Sequence, residues 1–217
     1  MIKCAADAES KEELQGKMET VTYVVNEGLY INLTNRCPCS CVFCIRNHAP
    51  GVYGSDPLWL DHEPSAEEVC NDLDKRNLDD YKEIVFCGYG EPTERLEELL
   101  EIAAYIRSKS KTPIRINTNG LSDLIHGEKT AHRLKGLIDA VSISLNATNK
   151  EDYLKSVRPK FGEQSFEAML EYAKDAKNYV PEVILTVVDV VTTKEEQALA
   201  KEISDSVGAR FRVREYS

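Results

Sequence analysis

The chain has 217 residues, 42% of them hydrophobic and 29% charged, enough for one domain with a substantial core. A formal net charge of −10 with no long Lys/Arg run disfavours partnership with nucleic acid or an anionic membrane. No apolar run approaches the ~20 residues that span a bilayer, and the opening "MIKCAADAESKEELQGKMET" lacks the apolar stretch of a signal peptide, so a cytoplasmic protein is expected.

In that setting the seven cysteines read as reduced thiols or metal ligands rather than a disulfide framework. Residues 1–28 read as an N-terminal extension and residues 29–217 as one domain. The first strand is expected at 29–34, where Ile31 and Leu33 alternate with Asn32 and Thr34. Directly after it, in the position of a strand-to-helix loop, "CPCSCVFC" puts Cys37, Cys39, Cys41 and Cys44 into eight positions. "IRNHAPGVYG" follows, and its Gly51 and Gly54 suggest a mobile loop. His48 there is a candidate proton donor by position, although a lone loop histidine is more often merely solvated.

Ser65 with Glu68 forms a capping box for a helix running to about Arg76. A strand at 83–88 leads into "FCGYGEPT", which by itself reads as a Gly-Pro turn. Leu96, Leu99, Leu100, Ala103 and Ile106 make a helical stripe. In a third strand, 114–118, Ile114 and Ile116 alternate with Arg115 and Asn117, and "INTNG" closes it as an Asn-Gly turn. A short helix is expected between Thr130 and Leu137, and a strand at 140–146 in which Val141, Ile143 and Leu145 alternate with Ser142, Ser144 and Asn146. Phe166, Met169, Leu170 and Ala173 share a helical face with Ser165 as its N-cap. The strand at 183–191 places Asp189 in apolar surroundings near its carboxyl end, where it needs a partner. A lateral ion pair with Arg212 or Arg214 is one reading; the other has Arg210, Arg212 and Arg214 lining a cavity or docking another chain. Thr193 with Glu196 caps a helix carrying Leu199, Ile203 and Val207, and the last strand is expected at 209–215.

Alternating strands and helices imply a parallel sheet with right-handed crossovers. Six strands are too few for a closed eight-stranded barrel. The expected fold is α/β: an open partial (β/α)6 barrel, with a parallel six-stranded sheet and helices on its convex side, fits the length better than a doubly wound sheet, and the repetition alone does not decide between them. The polar faces of its strands would converge on the concave side, which suits a polar ligand or solvent better than a packed interior.

The thiol run has several readings. Structural zinc sites come as two short pairs with a longer spacer, and no second pair exists. A Cys41–Cys44 redox dithiol leaves Cys37 unexplained. Taken as Cys37-x3-Cys41-x2-Cys44, a compact loop can supply three thiolates to a [4Fe–4S] cubane and leave the fourth iron open for a chelating ligand.

With Phe43 as the aromatic residue before the last cysteine, this motif resembles the signature of the radical S-adenosylmethionine (SAM) superfamily, and the longer stretch is most similar to its TatD-linked members. The resemblance implies that Cys37, Cys41 and Cys44 ligate a [4Fe–4S] cluster, leaving Cys39 as a packed neighbour. It implies that "FCGYGEPT" is a Gly-Gly-Glu-Pro motif engaging the SAM amine through Gly90 and Glu91, with Tyr89 in place of its first glycine. It also implies SAM contacts from Phe43, Asn119, Ser144 and Arg158. Asp commonly stands where this chain has Asn146, and backbone at 188 and 189 would lie near adenine. The implied reaction is reductive cleavage of SAM to a 5′-deoxyadenosyl radical, which abstracts hydrogen from an unidentified substrate. The implied partners are a low-potential donor of flavodoxin or ferredoxin type and a TatD-type metal-dependent hydrolase. An Fe–S electron carrier and a structural zinc-binding interaction module are the alternatives, and neither needs the motifs at the strand ends.

Overall fold

The structure is a computed structural model that describes residues 20–47 and 57–215. His48, Gly51 and Gly54 lie outside the described residues, as does most of the expected N-terminal extension. A single seven-stranded sheet runs in chain order: β1 (Thr22–Val25), β2 (Gly28–Ile31), β3 (Glu83–Phe86), β4 (Ile114–Thr118), β5 (Ala140–Ser144), β6 (Glu182–Val188) and β7 (Arg210–Arg214). β2 through β7 pair in parallel, and β1 and β7 are the open edges. The six expected strands are all present in an open α/β sheet of the expected kind.

β1 is the addition. It pairs antiparallel with β2 through a two-residue turn, with Asn26 in the left-handed region at φ 51°. A short polar side chain tolerates that conformation better than most residues.

Helices follow the strands: α1 (Ala66–Leu73), α2 (Leu96–Lys109), α3 (Ser122–His126), α4 (Lys150–Val157), α5 (Ser165–Ala176) and α6 (Lys194–Ser206). The capping boxes at Ser65/Glu68 and Thr193/Glu196 both form. Asn149 caps α4 by accepting from the Asp152 N–H. The segment expected as a helix at 130–137 contains only a 3-10 turn, Ala131–Leu134. Ser165 is not an N-cap: it lies inside α5, is fully buried, and its hydroxyl has no partner. The preceding 3-10 turn Gly162–Gln164 runs straight into the helix, which leaves the cap position to Gln164.

Alternation along the strands divides the sheet into two faces. Leu29, Ile31, Ile84, Phe86, Ile116, Ile143 and Leu185 are fully buried and belong to one core with Leu99, Ile102 and Met169 of the helices. Each such side chain contributes about 1.5–3 kcal/mol relative to exposure. The opposite, concave face carries Tyr30, Glu83, Arg115, Asn117, Ser142, Ser144, Arg212 and Arg214, as strand register dictates. A small second apolar cluster, Tyr23, Val25, Leu58 and Tyr89, closes that face beside β1. No helix among the described residues is long and apolar enough to cross a membrane.

Because the Ser165 hydroxyl is buried without a partner, Ser165→Ala is expected to cost less than ~0.5 kcal/mol or to stabilise. A working N-cap would lose about 1 kcal/mol. The urea midpoint at constant slope distinguishes the two.

Candidate functional site

The site is built where the carboxyl ends of the parallel strands meet the cysteine loop, the usual place for ligands in such sheets. That loop is held by backbone on two sides. On one side the Glu91 N–H donates to Arg36 O at 2.7 Å. On the other, Ser40 N donates to Val157 O at 3.1 Å, Val42 N to Ser156 O at 2.9 Å and Lys160 N to Pro38 O at 2.8 Å, with a bridge pairing Cys39 and Pro159. The "SVRP" segment thus works as a backbone rail under the cysteines. The Arg158 side chain is exposed and turns its Nε back to Lys155 O at the left-handed end of α4, φ 49°.

Cys37, Cys41 and Cys44 are half-buried, whereas Cys39 is 3% exposed. Interaction with the neighbouring Cys39 thiol holds Cys37 and Cys41 below the usual thiol range, and interaction with those two pushes Cys39 above it. Arg46 and Arg214 add a smaller electrostatic pull on Cys41. Burial raises the Cys44 thiol. Among the described residues no group of three or more His, Cys, Asp or Glu side chains is drawn together tightly enough to hold a metal ion as it stands. Phe43 is half-buried against the main core.

Glu91 is 4% exposed and organises the neighbouring strand end. Its Oε1 accepts from Thr93 N at 3.1 Å, Thr93 Oγ1 at 2.8 Å and Thr118 Oγ1 at 2.7 Å. Its Oε2 accepts from Asn119 N at 2.7 Å. Burial pushes the Glu91 carboxyl up, against the pull of these donors. Gly90 permits a close approach within the chain itself: a Cβ there would sit 2.2 Å from Thr34 O and 2.6 Å from Arg36 O. Tyr89 is buried, and its ring meets Trp59 edge-on at 5.2 Å between centroids.

Asn119 brings the two halves together. Its Nδ2 lies 3.7 Å from Cys39 Sγ and 4.0 Å from Cys37 Sγ, and its Oδ1 accepts from Leu121 N at 2.9 Å. Ser144 stands farther along the sheet and accepts from Arg214 Nη2 at 3.3 Å. Arg212 likewise donates to Ser142 Oγ at 3.2 Å, so these arginines line the concave face. Asp189 is exposed in a 3-10 turn after β6 rather than embedded in an apolar strand.

Two features, Arg95 and Tyr153, were not singled out in the sequence, and Asn146 was named there only as standing where Asp is common. Arg95, 8% exposed, donates to Leu33 O and Pro64 O and pairs with Glu98, fixing the strand end ahead of the cysteines. Tyr153 is fully buried, its hydroxyl has no partner, and the charges of Cys39, Cys41 and Cys37 add to burial in raising its phenol. Asn146 is 6% exposed and left-handed at φ 55°, and its Oδ1 has no partner. It lines a cavity of about 290 Å³ with Val42, Ala147, Ser156 and Thr192. The Asn149–Asp152 spacing and the Leu-Glu-Glu run after Arg95 were legible clues to local structure, not to the contacts made.

Comparison with known proteins adds to this geometry. The family model of the Radical SAM superfamily matches residues 31–203. Over 131 residues the chain is 34% identical to a probable GTP 3′,8-cyclase of Methanosarcina acetivorans and 30% identical to one of Methanosarcina mazei. Those matches cover 59% of this chain and 35% of each relative, so the chain spans about a third of the length of these curated relatives. Among solved structures, Streptococcus suis SuiB bound to precursor peptide SuiA superposes with a TM-score of 0.65 at 16% identity, covering 88% of this chain and 39% of that one. A radical SAM methyltransferase from Sphaerobacter thermophilus gives 0.61 at 14% identity, covering 89% and 68%. At such identity the structures speak for the fold alone.

Gly90→Ala is expected to destabilise by about 1–3 kcal/mol or more, because two backbone oxygens block its Cβ. Gly136→Ala, where φ is 77° but nothing lies within 4 Å, is expected to lose about 1 kcal/mol. Urea unfolding of both variants checks the order; equal losses contradict the close-approach argument.

Proposed function

Because this chain belongs to the radical SAM superfamily, we propose that Cys37, Cys41 and Cys44 hold a [4Fe–4S] cluster and that the protein uses SAM to abstract hydrogen from a substrate held against its concave face. The observation that carries this reading is the separation of four crowded thiols into three half-buried ones at the strand ends and one buried one tied into the loop's backbone bridge.

The donor set fits the group. Three thiols suit the three cysteine-bound irons of a cluster with one open corner. The Asn146 Oδ1 without a partner, beside a cavity of about 290 Å³, suits a polar nucleoside portion of SAM. When bound, the cluster and SAM supply reductive cleavage of the sulfonium C–S bond to methionine and a 5′-deoxyadenosyl radical able to abstract hydrogen.

This chain's own contribution is positioning. Glu91 clamps Asn119 and Thr118 to the cysteine loop, so the β3 and β4 ends keep a fixed relation to the thiols. Gly90, Glu91, Asn119 and Ser144 are the groups we assign to SAM binding, with Phe43 packed beside the last cysteine. In that role Glu91 acts through the backbone it fixes, since its carboxylate already takes four donors. The exposed Arg158 would have to leave its helix end to reach the SAM carboxylate. Burial of Cys39 keeps a fourth thiolate from filling the open corner.

The chemistry calls for a low-potential electron donor of flavodoxin or ferredoxin type and for a reducing compartment, in keeping with the cytoplasm. The similarity of the cysteine stretch to TatD-linked members supports a TatD-type hydrolase as partner. The curated relatives are named for cyclising GTP; only their radical-generating half-reaction is carried over, because the chain matches about a third of their length.

Anaerobic reconstitution tests the assignment. The wild-type protein is expected to bind four irons and sulfides and to form 5′-deoxyadenosine from SAM under reduction. Cys37→Ala is expected to lose the intact cluster and at least ~100-fold of the SAM cleavage, whereas Cys39→Ala keeps both. A Cys37→Ala protein with a full, active cluster, or zinc held by Cys39 together with its neighbours, overturns the reading.

A further inference from the structure

The cofactor reading leaves one group on the concave face unused. Arg212 is half-buried on β7 and donates through Nη2 to Ser142 Oγ at 3.2 Å, a neutral acceptor. Its Nε is buried and has no hydrogen-bond partner. No carboxylate among the described residues pairs with it. The carboxylate that acts on it across this face, Glu83, is already engaged by both Nε and Nη2 of Arg115, at 2.9 and 2.5 Å. Arg210 and Glu182, lower on the same face, satisfy each other.

An unmet N–H on a half-buried cation carries a desolvation cost that a serine hydroxyl does not offset. Arg115 and Arg214 flank it, and their charges together with burial make the cationic form of Arg212 harder to keep. Four other arginines of this acidic chain behave differently: Arg36, Arg95, Arg107 and Arg133 all face carboxylates. Arg212 and Arg214 are two residues apart on one strand face, which spaces their Cα atoms by roughly 7 Å. A guanidinium fork matches carboxylate or phosphate oxygens, and Arg214 extends the positive face toward Cys41.

We infer that Arg212, with Ser142 and Arg214 beside it, binds an oxyanion of the substrate, so that the substrate is a carboxylate or phosphate ester docked on the concave face below the cysteine loop. The inference rests on the radical SAM reading for the word substrate, and on Arg212 alone for the anion. The methionyl carboxylate of SAM is the other source of the same chemistry.

Calorimetric and melting titrations of the full chain with inorganic phosphate, succinate and SAM, each at matched ionic strength, test it. Phosphate or succinate at tens of millimolar is expected to raise the melting temperature by about 2–4 °C over chloride. Arg212→Gln is expected to weaken that binding at least ~10-fold, and Arg212→Lys, which keeps the charge and protects the fold, at least ~3-fold. Arg210→Gln is expected to bind as wild type. A stronger phosphate response marks a phosphate ester and a stronger succinate response a carboxylate; either supports the inference. It is overturned if neither anion exceeds chloride, if Arg212→Gln and Arg212→Lys respond like wild type, or if SAM alone shows the Arg212 dependence. Absence of anion binding by the wild-type protein with cluster assembly intact counts against this inference only. Failed cluster assembly with anion binding intact counts against the cofactor reading only.

Discussion

A buried carboxylate holds the working end of this sheet together. Glu91 is almost wholly removed from water, which costs several kcal/mol for an unpaired ion. No cation among the described residues pairs with it; four hydrogen bonds hold it, each worth about 1.5–3 kcal/mol to a charged acceptor. Those donors come from the turn after β3 and from the end of β4, while the Glu91 N–H ties the same residue to Arg36 of the cysteine loop. Three successive strand ends are thereby locked into one arrangement. Gly90 is required next to it because the backbones approach to within the space a Cβ would take.

That lock matters because the sheet is open. In a closed barrel, each strand end would be fixed by pairing on both sides around a full circle. Here β1 and β7 are edges, and the ends have to be fixed by loops instead. The chain does so from two directions: Glu91 on one flank of the cysteine loop, and the backbone rail at 156–160 on the other. Apolar burial on the helix face sets the overall curvature and stability. The polar groups of the concave face are then free to be chosen for what they bind rather than for packing.

Much of this was legible because the sequence carries two strong periodicities. Period-two alternation marked the strands and assigned Ser142, Ser144 and Arg115 to the polar face, where they are found. Ser/Glu and Thr/Glu spacings marked two helix starts. β1 escaped because "TYVV" is four residues long and its partner strand looked complete without it. Ser165 misled because a serine before an apolar stripe has the composition of a cap, while the 3-10 turn entering α5 moved the cap position back by one. Arg158 shows a different limit. A motif can be noticed correctly and still act through its peptide groups, as the rail beneath Cys39 does, with the side chain turned to solvent. Contacts such as Arg95 to Leu33 O join residues 62 apart, and no local pattern encodes them.

The crowding of thiols in "CPCSCVFC" follows from the same economy of loop length. On the proposed reading, three ligands for one cluster must lie on a short segment if a single strand end is to present them. A fourth cysteine inside that segment would compete for the open corner unless the fold removed it. Pairing of Cys39 with Pro159 removes it: the bridge turns that residue into the core while its neighbours stay half-exposed. Asn119 then sits 3.7 Å from the Cys39 sulfur and is itself fixed through its N–H by Glu91. The buried carboxylate, the amide and the withdrawn thiol form one continuous chain of contacts. On the proposed reading, a vacancy among the four thiols is therefore a property of the loop's backbone pairing and of the strand ends that brace it, not of the cysteine spacing alone.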